Sequence, residues 1–170
     1  AGDSVTAYLR SSGAGAMLTL NTNVTGLNNI VELDNGGTLD MNGNDLSTTS
    51  TVRVGYWGAG GTLLRNGGSL SAGSVEVHNG SAFTVVPGDA ISGGGDFRAT
   101  GAGSMIALQT DVTKVSGNIH IDNGGTIELG GNTLATSSGL FVGYFGGSGT
   151  VSRTGGGNIV ASGGLYVFHG

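Results

Sequence analysis

Five carboxylates, Glu32, Asp34, Asp40, Glu76 and Asp122, are the residues of this 170-residue sequence best typed for catalysis. A hydrolase of glycosidic bonds needs two carboxyls about 5 to 9.5 Å apart beside a cleft. The spacing sets up no such pair. Asp34 and Asp122 each precede an NGG turn, Asp40 alternates out of an apolar segment, and Glu32 and Glu76 fall into a column of charges described below. Eleven acids spread along the chain also bring some carboxylates close by chance. The reading is of a protein that is not an enzyme, with no catalytic residue assigned.

Metal chemistry is equally weakly signalled. His78, His120 and His169 occupy differing strand and turn positions and suggest no ligand triad. There is no cysteine, so neither thiolate sites nor disulfides are available. The stretch GGTLDMNGNDL, from Gly36 to Leu46, resembles the Gly- and Asp-rich calcium-binding nonapeptide of secreted bacterial toxins. Its counterpart GGTIELGGNTL, from Gly124 to Leu134, lacks both aspartates, and no metal or cofactor is assigned. Thr48, Thr49 and Thr51 suggest an ice-binding threonine array that most of the chain lacks.

A formal charge of −5 with only six basic residues excludes a massed cationic surface, so no nucleic-acid partner is expected. No apolar run approaches the roughly 20 residues of a membrane-spanning helix, and no membrane insertion is expected. Glycine supplies 37 positions, yet hydrophobic residues make up 37% of the chain and alternate with polar ones, which is unlike disorder.

What positions these residues is a repeat. VGYWGAGGT, from Val54 to Thr62, returns 88 positions later as VGYFGGSGT from Val142, and LDNGGTL from Leu33 returns as IDNGGTI from Ile121. Within that unit a shorter period runs. Alternating pairs begin at Leu9, Val31, Val52, Val75, Phe97, Ile119, Leu140 and Leu165, at intervals of 21 to 25 residues. A second column holds Val24, Leu46, Leu70, Ile91, Val112, Leu134 and Ile159, and a third includes Leu39, Phe83 and Ile127.

Period-two alternation marks strands with one buried face, and NGG, NG and GG punctuation marks the corners between them. A coil of about 22 residues cannot bury its own apolar face, whereas stacking coils about 4.8 Å apart closes a continuous interior. The prediction is an all-β, single-stranded parallel β-helix (β-solenoid) with three short strands per coil and about eight coils. It would form one domain, residues 1–170, duplicated internally at about 1–88 and 89–170. The rod would be roughly 34 Å long; residue order alone does not set its hand, and a right-handed coil is assumed from the parallel-crossover preference. An antiparallel sandwich is the competing fold, but its hairpins recur near every 8 to 12 residues.

The residue between each pair of the first column should face solvent. In coil order these are Arg10, Glu32, Arg53, Glu76, Arg98, His120, Phe141 and Tyr166. Alternating signs on stacked strands make a salt-bridge ladder that penalises a slip of one coil. VGYWGAGGT and VGYFGGSGT fall at enlarged corners about 19 Å apart on one edge, presenting Tyr56, Trp57, Tyr144 and Phe145. Those aromatics are candidates to hold surface glycans or dock another filament, or one of each pair folds back over the adjoining coil.

These phrases, each followed by an Arg-x-Gly-Gly turn, and the segments SLSAGSVEV and NIVASGGLYV resemble the repeats of secreted bacterial β-solenoids of the autotransporter-passenger and surface-adhesin type. The resemblance implies display outside the cell or on the bacterial surface, adhesion and matrix formation, with no catalytic residues. A polysaccharide lyase of this fold would cluster acidic calcium ligands near a basic residue, and none is assignable here.

The chain starts at Ala1 with no charged n-region and apolar core, and reads as a mature or excised piece. Joining Gly170 to Ala1 gives HG followed by AGDSVTAYLRSSG, a shortened form of SAFTVVPGDAISGGGDFRATG with its GD kept. The expected function is an extracellular structural or adhesive solenoid that stacks end to end with itself. The junction would involve Ala1, Arg10, Leu165, Tyr166, Val167 and Gly170, with Tyr166 offering a cation–π contact to Arg10 of the next subunit. The alternatives are a passenger fragment of a larger surface adhesin and a polysaccharide-binding or polysaccharide-degrading β-helix.

Overall fold

The computed structural model describes residues 7–168 and the backbone of residues 3–4. Ala1, His169 and Gly170 lie outside the described residues. All described elements are strands, every pairing between them is parallel, and the chain is a β-solenoid of about seven turns. Eight first-wall strands delimit those turns, one fewer than the coils counted from the sequence, because the last coil is entered without being closed.

The first wall stacks Leu9–Ser12, Val31–Asp34, the end of Leu46–Val54, the end of Leu70–His78, Phe97–Thr100, Ile119–Asp122, Leu140–Val142 and Leu165–Val167. Inward rows run vertically. Val31 faces Val52, Val52 faces Val75, Phe97 faces Ile119 and Ile119 faces Leu140, all buried. Each side chain so enclosed contributes about 1.5–3 kcal/mol.

Two features depart from three uniform strands per coil. Leu46–Val54 and Leu70–His78 run unbroken from the second wall into the first, with a register shift between Thr48 and Thr51 marking the bend. Thr48 brackets that bend, donating from Oγ1 to the Asn29 carbonyl at 2.7 Å and accepting the Ser50 N–H at 3.1 Å. Thr136 makes the same bracket with Gly117 and Ser138. Thr48 therefore belongs to a buried corner rather than to an exposed threonine array.

The second departure is a gap. The third wall breaks into Met17–Thr19, Thr38–Asp40 and Thr62–Leu64 on one side, and Ala82–Val85, Met105–Leu108, Thr126–Glu128 and Thr150–Ser152 on the other. The break follows the first enlarged corner, where an opening of about 400 Å³ separates Thr62 and Leu63 from Ala82 and Phe83. Thr62–Leu64 itself pairs in register with Thr38–Asp40 below, so the ladder is missing only on its upper side, toward Ala82–Val85.

Corner glycines do two jobs. Asn35 and Gly36 both hold positive φ, 51° and 82°, giving the tight NGG turn expected from the sequence. Gly37 and its repeat Gly125 serve close approach instead, since an added Cβ would meet the backbone carbonyl of Ser11 or Ala99 in the coil below. Gly125→Ala is expected to cost about 1–3 kcal/mol of stability. Gly94→Ala, whose Cβ would have its nearest neighbour 3.8 Å away, should change it little. Denaturant unfolding of the two variants checks this, and equal losses would refute the close-approach argument.

Candidate functional site

The enlarged corners are built by buried aspartates. Asp34 ends a first-wall strand, and its Oδ1 accepts the backbone N–H of Trp57 in the coil above at 3.0 Å. Asp122, 88 residues on, accepts the Phe145 N–H at 3.2 Å. Both carboxylates are fully buried, so each pins an aromatic-bearing turn to the coil beneath. The two acids that first suggested catalysis are thus turn anchors.

The charge column has the register expected of it. Arg10 faces Glu32, Glu32 faces Arg53, Arg53 faces Glu76, Glu76 faces Arg98, Arg98 faces His120, His120 faces Phe141 and Phe141 faces Tyr166. Its exposure does not match. Glu32 is 1% and His120 4% accessible, so the column is roofed at these positions, whereas Arg10 and Tyr166 at its ends are exposed.

Pairing is also selective. Arg10 Nε lies 3.2 Å from Glu32, with a second nitrogen 3.8 Å from Asp34, and Arg53 Nε donates to Glu76 at 2.9 Å. Arg98 makes no ion pair among the described residues. Its guanidinium lies 4.3 Å from the centre of the Phe145 ring, while His120 stands 3.6 Å from Asp96 and 3.9 Å from Asp122. The ladder is a set of local clusters.

Aromatic rings form the roof. Tyr56 folds back onto the Arg53 guanidinium, 4.6 Å away, and edge-on to His78 at 5.0 Å, leaving Trp57 outward and 65% exposed. In the second corner Phe145 covers Arg98 and packs 5.1 Å from His120, while Tyr144 contacts Phe141 and Phe168. His120, Phe141 and Tyr166 stack nearly parallel at 5.1 and 4.9 Å. Tyr56, Tyr144, Phe145, Tyr166 and Phe168 also remain partly exposed on this face.

Burial sets the ionisation of these groups. Glu32 is raised above the ordinary carboxylate value by burial and by neighbouring Asp34, against the opposing effects of Tyr8 and Arg10. Tyr8 is pushed up to about 12, first by burial and then by Glu32. Burial alone would raise Glu76 too, but His78 and Arg53 hold it below its ordinary value. His120 is lowered, chiefly by burial, although Asp96 and Asp122 favour its charged form.

Glu32 and Asp34 share a surrounding but open onto no cleft, and no group of three or more possible metal ligands occurs among the described residues. No family model, curated protein sequence or solved structure matches this chain. The sequence reading missed Tyr8, Asp96, His78 and Phe168 as members of the face. The 88-residue shift was the available signal, since it equates Tyr8 with Asp96 and Glu32 with His120.

Three outcomes follow for the anchors and charges. Asp34→Ala should cost about 1–3 kcal/mol by orphaning the Trp57 N–H, and should lower the fluorescence anisotropy of Trp57, the single tryptophan. Unchanged anisotropy would contradict the anchor role. Glu76→Gln should lose about 1–2 kcal/mol at neutral pH, with the difference vanishing as pH falls through the depressed Glu76 value. Glu32→Gln should behave oppositely. It should gain stability at neutral pH and match the native chain below the ordinary carboxylate range, because a raised value penalises the folded carboxylate. Thermal unfolding from acid to neutral pH reads both signs.

Proposed function

We propose that this chain is an extracellular structural and adhesive β-solenoid of the bacterial surface, not an enzyme, whose copies stack end to end into a filament. The observation that supports stacking is the last rung. Leu165 and Val167 stand at inward positions, facing Leu140 and Val142 of the coil below, yet are 64% and 69% exposed. They rim a cavity of about 580 Å³ with Leu140, Val151 and Ile159, shaped to receive another coil. Covering that rung by a further coil of the same kind continues both the apolar interior and the strand pairing.

The junction residues have unequal support. Tyr166 is exposed at the end of a parallel aromatic stack, and Arg10 lies at the opposite end of the same column, as a contact between them requires. Ala1 and Gly170 fall outside the described residues. The passenger-fragment reading uses the same mouth to seat further coils of one longer polypeptide. The exposed Trp57 and the aromatics beside Phe145 favour a contact surface for glycans or other filaments along the side of the rod.

Electron microscopy of the purified 170-residue chain over a concentration series tests the stacking. Filaments of solenoid width that lengthen with concentration are expected. Monodisperse short rods at high concentration would overturn self-assembly.

A further inference from the structure

Among the described residues, five residues other than glycine hold positive φ: Asn35, Asn42, Asn66, Asn79 and Asn123. Each is followed by glycine, and they make up all the Asn-Gly pairs of the sequence. Asparagine tolerates the left-handed region, which accounts for its place at these corners. The same dipeptide carries a reactivity. The glycine nitrogen, unhindered by a Cβ, can attack the asparagine Cγ. A C–N bond forms, the Cγ–Nδ2 bond breaks and ammonia leaves. Water then opens the five-membered imide at either carbonyl, giving aspartate or β-linked isoaspartate.

The attack needs a free glycine nitrogen and a turn that can open, and contacts between coils withhold these at four corners. Gly43 donates its N–H to the Arg65 carbonyl at 3.2 Å, Gly124 to the Ser148 carbonyl at 2.5 Å, and Gly80 to Ser104 Oγ at 3.0 Å. Asn79 is tied again through Nδ2, which donates to the Gly55 carbonyl at 2.7 Å. Gly36 is half-buried between Ala14 and Gly60, and Asn35 donates its own N–H to the Gly58 carbonyl at 3.2 Å.

The Asn66–Gly67 turn differs from these. Both residues are exposed, and the Gly67 N–H has no hydrogen-bond partner among the described residues. A Cβ built on Gly67 would meet nothing within 4 Å. On the asparagine side, Nδ2 donates to Asp40 Oδ1 of the coil below at 2.8 Å, an exposed bond.

We propose that Asn66 is a site of spontaneous deamidation, converting to aspartyl and isoaspartyl forms ahead of the other four Asn-Gly turns of this chain. The product carboxylate loses the donor that served Asp40 and faces it as a like charge. The isoaspartyl form also inserts a methylene into a tight turn. That turn begins at Arg65, which donates from Nε to both oxygens of Asp89 at 3.1 Å and from Nη2 to Oδ2 at 2.6 Å. The Asp89 side chain is fully buried and also accepts the N–H groups of Leu70 and Val86, each at 3.0 Å. This clamp joins adjoining coils beside the break in the third wall, so conversion at Asn66 alters the corner from which the clamp is made.

The test incubates the purified 170-residue chain at mildly alkaline pH, folded and in urea, and follows each Asn-Gly peptide by mass spectrometry. Isoaspartyl methyltransferase labelling counts the β-linked product. The urea rates give each pair's intrinsic reactivity, against which protection in the folded chain is read. Asn66 should be the least protected, converting several-fold faster than any other pair in the folded chain, and the converted fraction should melt at a lower temperature. Asn66→Gly, which keeps positive φ without steric cost, should leave a folded rod that no longer accumulates the early acidic form. Faster conversion at another pair, or equal protection of all five, would overturn the site. An unchanged melt of the converted chain would overturn its effect on the corner.

Discussion

Every coil of this molecule depends on the coil beneath it, because about 22 residues enclose too little apolar surface to fold alone. A side chain's decisive neighbour is therefore about one coil away in sequence, as with Val31 and Val52 or Ile119 and Leu140. That constraint explains why like residues recur in columns. It also explains why Gly37 and Gly125 carry no Cβ, since the carbonyl of the coil below occupies the space.

The same stacking buries part of a surface column, enclosing Glu32 and His120 while Arg10 and Tyr166 stay exposed. Once the corners lengthen, Tyr56 and Phe145 have the reach to lie back over the first wall, and the arginines beneath them become ring-covered. The duplicated units build this roof with different chemistry. Arg53 and His78 support Tyr56 in the first, whereas Phe141 and Phe168 support Tyr144 in the second. One backbone plan thus presents a mixed ionic corner and an aromatic one, and the aromatic corner lies beside the uncovered last rung.

The third-wall ladder is interrupted above Thr62–Leu64, the strand that follows the lengthened corner Gly55–Gly61. The Arg65–Asp89 clamp sits at that height, its acid fully enclosed and its arginine mostly so. A buried pair is costly to desolvate unless its remaining hydrogen bonds are made, and Asp89 makes them to Leu70 and Val86.

The sequence by itself determined the parallel solenoid, its 22-residue coil, the corner glycines and the register of the column from Arg10 to Tyr166. All of these follow from periodicity, which is a property of residue order. It did not reveal that Glu32 and His120 are buried, that Asp34 and Asp122 anchor the aromatic turns, or that the third wall breaks. Those outcomes depend on how far a lengthened corner reaches and which ring it lays over which charge. Only the packed coils, with their actual distances and shared burial, decided them.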